Sequence, residues 1–429
     1  MDIHPAAALS SVRRPRMKGA ALSVVGRSAR AALLCLVVGL LASCATTPTP
    51  TTTSAPTAAM PAPAWPTTPP GTTTALTGSG VTLTAASWSD LPGWSQDDFG
   101  NVWQAFRRDC SARLPEALAE VCARAASVPP NDTQAQRAFF QAQFAPWQIQ
   151  SAEGKDAGLI TGYYEPVLHG SLTRQWPYVV PVWGLPADLV PRAPGNDGIS
   201  GGRVAWVDGQ QRILPYWNRA QIQADPAVQA ALDRSVVVWL DSAVDALFLQ
   251  VQGSGLVRLP DGQDLRLSYA GTNGWPYKSV GRWLLGTGRV KGTVTMSVIR
   301  AWAQMHPDEV PQMLASNPRV VFFTAALDTD PQRGPVGALG VPLTAMRSIA
   351  VDKRSIALGL PVWLSTSQPY ANGTPPQPLN RLVFAQDVGS AITGTVRADL
   401  FTGTGDAAGE LAGRMQWPGR MWVLLPVIP

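Results

Sequence analysis

Two carboxylates stand among glycines and short apolar runs near the end of the chain, in FAQDVGSAITGTVRADLFTGTG, Phe384 to Gly405. Asp387 and Asp399 are the only acidic residues of that stretch, which has no His, Cys or Lys. Such a setting points to carboxylate acid/base chemistry. A serine nucleophile is a poor competitor: Val251-Gln252-Gly253-Ser254-Gly255 is not a G-x-S-x-G elbow, and only His169 and His306 could serve it outside the N-terminal region. No metal-ligand cluster and no phosphate-binding loop is present, so no metal or cofactor is expected. A structural alternative stands beside each acid. Asp387 equally suits a turn carboxylate capping backbone amides, and Asp352, followed by Lys353-Arg354, reads first as an ion-pair residue.

These groups need a scaffold. A chain of 429 residues, 45% hydrophobic and 15% charged, is enough for one or two sizeable cores. The net charge of +5 invites a nucleic-acid reading, but its location removes it. Arg13, Arg14, Arg16, Lys18, Arg27 and Arg30 face only Asp2 within residues 1–43, and beyond them basic and acidic residues cancel. The basic balance belongs to a targeting segment. Sixteen tryptophans suit either core packing or stacking on sugar rings.

The targeting segment, 1–43, has a basic region ending at Arg30 and an apolar run, AALLCLVVGLLAS, too short for a secure membrane span. Leu41-Ala42-Ser43-Cys44 resembles a bacterial lipobox, in which Cys44 is lipidated and begins the mature chain. Met17-Lys18 to Cys44 is already a complete signal, so Met1 or Met17 can be the start. Ala45, where an inner-membrane retention signal would place Asp, implies an outer-membrane lipid anchor facing the periplasm. Residues 44–84 follow as a tether rich in Thr, Pro and Ala that cannot bury a core. Export to an oxidising compartment favours a disulfide between Cys110 and Cys122, closing a helical hairpin and worth about 2–4 kcal/mol.

Helical spacing runs through Phe99, Val102, Trp103, Phe106 and Cys110, with Ser95 and Asp97 as cap candidates. It recurs in Leu114, Leu118, Val121, Cys122 and Ala125, and a third helix follows Asp132-Thr133. After Pro146 the texture is β-rich, including DALFLQVQGSGLVRL, with one helical interlude at 295–317 whose face is Val298, Ile299, Trp302 and Met305.

Four segments stand out in order: Gly162-Tyr163-Tyr164-Glu165-Pro166; Val251 to Gly255; Tyr269 to Ser279 (YAGTNGWPYKS); and the closing stretch from Phe384 to Pro426. With the lipobox they closely resemble the membrane-bound lytic murein transglycosylase A family, over roughly residues 90–429. The resemblance implies a mainly β fold with N-terminal helices (α+β), a double-psi β-barrel with a second, smaller β-domain inserted. The barrel takes 85–165 and 319–429, and the substrate-binding insert 166–318. The family's three aspartates map to Asp352, Asp387 and Asp399, and the resemblance makes Asp399 the acid with Asp387 in support. Sugar contacts are expected from Tyr163, Tyr164, Glu165, Gln252, Gly253, Ser254, Asn273, Trp275, Tyr277, Lys278 and Asp352. The paired tyrosines alternate across a strand, so one of them faces the core.

The implied reaction is lytic cleavage of the β-1,4 MurNAc–GlcNAc bond of peptidoglycan, with the sugar's own C6 hydroxyl closing a 1,6-anhydro ring. One carboxyl then suffices as acid and base. Two alternatives remain: a hydrolase in which Glu165 or Asp387 activates water, and a non-catalytic glycan-binding lipoprotein. The implied partners are glycan strands, a membrane through the lipid anchor, and cell-wall synthesis proteins.

Overall fold

The largest sheet is assembled from both ends of the chain. The computed structural model describes residues 75–78, 80–330, 333–369 and 375–427; the targeting segment, Cys44 and most of the tether lie outside the described residues. Nine strands pair in the order Ala75–Gly78, Val81–Ala85, Phe144–Ser151, Gln416–Pro426, Pro361–Gln368, Gln377–Asp387, Ser348–Val351, Ala398–Thr404 and Gly158–Glu165. Gln416–Pro426 pairs again with Gly158–Glu165, so six of these strands close on themselves. Two neighbours in that ring run parallel: Ser348–Val351 with Gln377–Asp387, and Ala398–Thr404 with Gly158–Glu165.

Between Glu165 and the return to this sheet the chain builds a second one. Its six strands are Val321–Asp328, Asp264–Thr272, Ser254–Arg258, Val167–Ser171, Val236–Leu240 and Val180–Trp183, and a three-stranded sheet of Val190–Pro191, Gly201–Val207 and Gln210–Pro215 accompanies it. Val321–Asp328 pairs along Asp264–Thr272, so the second sheet continues past the boundary expected at 318. The inserted region is also less purely β than its apolar runs suggest. Ala243–Gln252, read from sequence as part of a strand, is a helix. Ser242 caps it by accepting from the Asp245 N–H, and Gly253 ends it at φ 85°. Helices also form at Arg219–Ala224, Pro226–Leu232 and Val280–Gly286. In the helix Met296–Met305, Ile299, Trp302 and Ala303 are buried, whereas Met305 is exposed and leaves the expected face.

The N-terminal helices Val102–Asp109, Glu116–Arg124 and Thr133–Gln143 cover one side of the large sheet. Phe106, Phe139, Phe140 and Phe144 form an aromatic layer against Phe384. The Cys110 and Cys122 sulfurs are joined, tying the first helix end to the second helix. Among the described residues no helix is long and apolar enough to cross a membrane.

Asp97 does not cap a helix. Its carboxylate accepts from Arg347 Nη1 and Nη2 at 2.7 and 2.8 Å and from the Leu382 N–H at 2.9 Å, and both charged side chains are buried. This pair fastens the segment before the first helix to the acid-bearing half of the sheet. Asp97→Ala leaves the buried Arg347 guanidinium only the exposed Asp98 carboxylate, which also meets its Nη2, and is expected to cost about 3 kcal/mol, read as a lowered midpoint in urea unfolding; an unchanged midpoint would mean that the pair is dispensable.

Candidate active site

Parallel pairing of Ala398–Thr404 with Gly158–Glu165 puts Asp399 opposite Thr161 and Phe401 opposite Tyr163. Alternation along each strand turns all four toward the same face. On the other side, Ala350 of Ser348–Val351 pairs with both Asp399 and Asp387. Asp387 and Asp399 therefore flank one intervening strand, with backbones about 10 Å apart.

Thr161 Oγ1 donates to Asp399 Oδ1 at 2.6 Å, and Arg397 Nη2 donates to Thr161 Oγ1 at 2.8 Å. The Tyr163 hydroxyl donates to Asp387 Oδ2 at 2.8 Å. Asp387 Oδ1 accepts the N–H groups of Ala338 and Val388 at 3.0 and 2.9 Å. Both acids are largely surrounded by protein yet keep some exposed surface.

Burial sets the proton affinity. It raises Asp399 from 3.8 to about 6, and the Asp387 charge adds to the rise, while the Thr161 hydrogen bond and Arg397 oppose it. Burial also raises Asp387, against the stabilisation of its ionised form by Val388, Tyr163 and Ala338. Tyr163 is pushed well above its usual value by burial and by Asp387, so it remains a donor. The Tyr163 hydroxyl and Asp387 thus form a hydrogen-bonded pair beside Asp399, whose value of about 6 keeps it protonated in mildly acidic solution.

The other expected site residues divide by exposure. Tyr164 is the core member of its pair, packed so tightly on the helix Asp406–Arg414 that a Cβ at Gly409 would lie 2.7 Å from its ring. Its N–H donates to Gln252 Oε1 at 3.0 Å, which engages the oxygen of the Gln252 amide. Glu165 has no exposed surface. Arg266 Nη1 lies 2.6 Å from its Oε1, Thr404 Oγ1 donates to its Oε2 at 2.8 Å, and Arg266 also holds Asp328 at 2.8 Å. The expected sugar contact at Glu165 gives way to a junction between the two sheets, and no carboxylate surface is left there to activate water. Gly253 is a helix cap, and Ser254 opens a strand opposite Ser268.

Asn273 is fully buried and its amide is spent on the backbone. Nδ2 donates to the Trp217 and Pro318 carbonyls, both at 2.9 Å, and Oδ1 accepts from the Val320 N–H at 3.0 Å. It is a loop pin and not a sugar contact. Trp275 Nε1 donates to the Tyr216 carbonyl at 2.8 Å. Tyr277 and Lys278 are exposed and remain open to a ligand. Asp352 is buried and belongs to Arg354 and the Gly394 N–H, with Arg354 holding it down to about 2. It stays ionised, and its hydrogen bonds go to Arg354 and Gly394, not to Asp387, Asp399 or Tyr163. Sequence reading overlooked Thr161 and Arg397, although each stands two residues before a recognised member of the site, the spacing of one strand face.

A family model described as the MltA specific insert domain matches residues 159–324, and one described as the 3D domain matches 347–425. The chain is 34% identical over 284 residues to membrane-bound lytic murein transglycosylase A of Escherichia coli K12, spanning 65% of this chain and 68% of that protein. Its fold is similar to that of MltA from Neisseria gonorrhoeae (TM-score 0.71, 34% identity, 85% of this chain and 96% of that one). It is also similar to the lytic transglycosylase LtgG of Burkholderia pseudomallei (TM-score 0.56, 44% identity, 80% and 95%). A further similarity is to E. coli MltA with bound chitohexaose (TM-score 0.61, 26% identity, 82% and 95%). With this extent of shared sequence around a buried acid pair, the chain belongs to the membrane-bound lytic murein transglycosylase A family.

Proposed function

We propose that this chain is a peptidoglycan lytic transglycosylase whose acid/base unit is Asp399 with Asp387. The observation that carries the reading is the pair itself: two carboxyls on one sheet face, with Asp399 raised to about 6. The protonated Asp399 carboxyl donates to the bridging oxygen as the C1–O bond breaks. The C6 hydroxyl of the MurNAc residue attacks C1, and its proton returns to the carboxylate. No water is consumed, and a 1,6-anhydro end results. Asp387, whose ionised form Tyr163 and two backbone amides stabilise, supports the positive charge that develops at the sugar ring. Tyr277 and Lys278 are the open groups for the glycan and its acidic substituents.

The same reading extends to architecture and place. The six strands that close on themselves, with their two parallel pairs, fit a double-psi barrel. Cys44 would carry the lipid that holds the domain at the outer membrane, facing the periplasm, with the Thr/Pro/Ala-rich residues up to 74 as spacer; the tether is shorter than the expected 44–84 because Ala75–Gly78 and Val81–Ala85 are strands of the large sheet.

Digestion of purified sacculi with the chain from residue 45 onward, which keeps the strands Ala75–Gly78 and Val81–Ala85 of the large sheet, followed by mass analysis is expected to yield anhydro-muropeptides; reducing ends would identify a hydrolase. Asp399→Asn and Asp387→Asn are each expected to lower the rate by about 10²–10⁴-fold. Loss confined to Asp387→Asn, with Asp399→Asn at the wild-type rate, would move the acid to Asp387. The wild-type rate should fall as pH rises through about 6, where Asp399 releases its proton; a rate that holds steady to pH 8 contradicts the assignment.

Stability gives an independent check. The folded value of Asp399 lies above the unfolded 3.8, so between 3.8 and about 6 the folded state retains a proton that the unfolded chain releases. Stability contributed by this group is therefore lost as pH rises through that window. Asp399→Asn should raise Tm at pH 8, on the order of 2–4 °C, and leave it unchanged at pH 3; scanning calorimetry at both pH values decides it.

A further inference from the structure

The strand that ends in Asp387 carries a bulge. Its parallel partner advances by one residue, from Ile349 to Ala350, while it advances from Ala385 to Asp387. Gln386 is the extra residue, and a bulge of this kind re-aims the side chain that follows. Gln386 is fully buried, and its amide is held on both sides. Nε2 donates to Asp109 Oδ1 and to the Ala105 carbonyl, both from the helix Val102–Asp109, while Oε1 accepts from Ser348 Oγ. Ser348 Oγ in turn accepts the Thr344 N–H at 2.7 Å. The Gln386 carbonyl accepts the Leu339 N–H at 2.9 Å, which docks beside Asp387 the loop whose Ala338 N–H binds it.

Asp109 is the unusual member. It has no exposed surface, and among the described residues its Oδ2 has no hydrogen-bond partner. An ionised carboxylate in that position would be very costly, whereas a neutral one matches a single amide donor. Burial drives its proton affinity well up, against only the Gln386 hydrogen bond. Arg108, the adjacent cation, is turned away and donates to the Leu343 carbonyl and Thr344 Oγ1 at 3.0 and 2.8 Å.

We propose that Gln386, clamped between Asp109 in its neutral form and Ser348, is a positioning residue that fixes the bulge and thereby aims the Asp387 carboxyl into the cleft. This rests on the reading of Asp387 as a member of the acid/base unit. The relay runs from the helix layer through the strand to the opposite face and touches no substrate.

The test compares Gln386→Leu, Asp109→Leu and Asp109→Asn with Asp387→Asn in the chain from residue 45 onward. Both leucine variants should lower kcat on the order of 10²-fold, as a misplacement of about 1 Å does, with KM unchanged and the pH midpoint of the rate displaced. Asp109→Asn, the isostere of the neutral acid, should rescue kcat to the wild-type level. Leucine variants that fold and turn over at the wild-type rate overturn the proposal, as does an Asp109→Asn variant no faster than Asp109→Leu. Wild-type turnover in Asp387→Asn alone would instead sink the reading of Asp387 and leave the relay without a purpose. Should the leucine variants fail to fold, infrared spectra of the wild type at pH 8 decide: a protonated-carboxyl band that Asp109→Asn abolishes is expected, and its absence overturns a neutral Asp109.

Discussion

The parallel pairing of Gly158–Glu165 with Ala398–Thr404 is the constraint on which the site depends. Parallel strands cannot be joined by a tight turn, so a long crossover must separate them. Here that crossover includes the whole second sheet, which leaves the first at Glu165 and returns after Asp328. The strand that supplies Thr161 and Tyr163 therefore also ends at the junction. Glu165, two residues beyond Tyr163, is tied to Thr404 in one sheet and to Arg266 in the other. Removing one partner of this buried pair would leave an uncompensated charge beside the strand that orients the acid unit. Cleft geometry and sheet-to-sheet geometry are consequently fixed by the same short run of chain.

The chemistry of that run follows from its burial. A carboxyl of ordinary affinity has lost its proton long before neutrality. Surrounding Asp399 with protein raises it to about 6, and Thr161 and Arg397 keep the rise from going further. The opposing influences matter as much as the burial. Asp109, which has the burial without a cation or a hydroxyl donor, is driven well up and held neutral. Two aspartates in one domain thus differ in role because their donors differ, not because one is deeper in sequence or more acidic by type.

Much of this was legible in the residues. The paired tyrosines with one facing inward, the Cys110–Cys122 link and the helix following Asp132 all rest on local spacing or composition, and each is where that spacing puts it. What sequence reading lost was long-range. Asp97 looked like a cap because caps are local, whereas its partner Arg347 is distant in the chain. Glu165 looked like a spare cleft acid because nothing near it announces Arg266. Asn273 looked like a sugar ligand because its amide is polar, yet four backbone groups absorb it. The helix Ala243–Gln252 was hidden in a continuous apolar run, where periodicity cannot separate a buried helix from a buried strand. Its cap signals, Ser242 and Gly253, were the better guide.

The bulge at Gln386 explains why such polar groups persist in an otherwise aromatic layer. Along Gln377–Asp387, Leu382 and Phe384 face the helices and are fully buried, and strand alternation carries Gln386 to that same dry side. An apolar side chain there would pack, but it would supply no directed contact to hold an irregular backbone in one register. A glutamine amide presents a donor and an acceptor in fixed directions, which Asp109 and Ser348 meet from opposite sides. The donor side requires an acceptor that brings no net charge into a site without cations, and a protonated carboxyl meets that requirement where a carboxylate would not. Adjacent residues of one strand thus use burial in opposite ways. On the helix side it keeps Asp109 neutral and the backbone fixed; on the cleft side it leaves Asp387 and Asp399 raised but still able to exchange a proton.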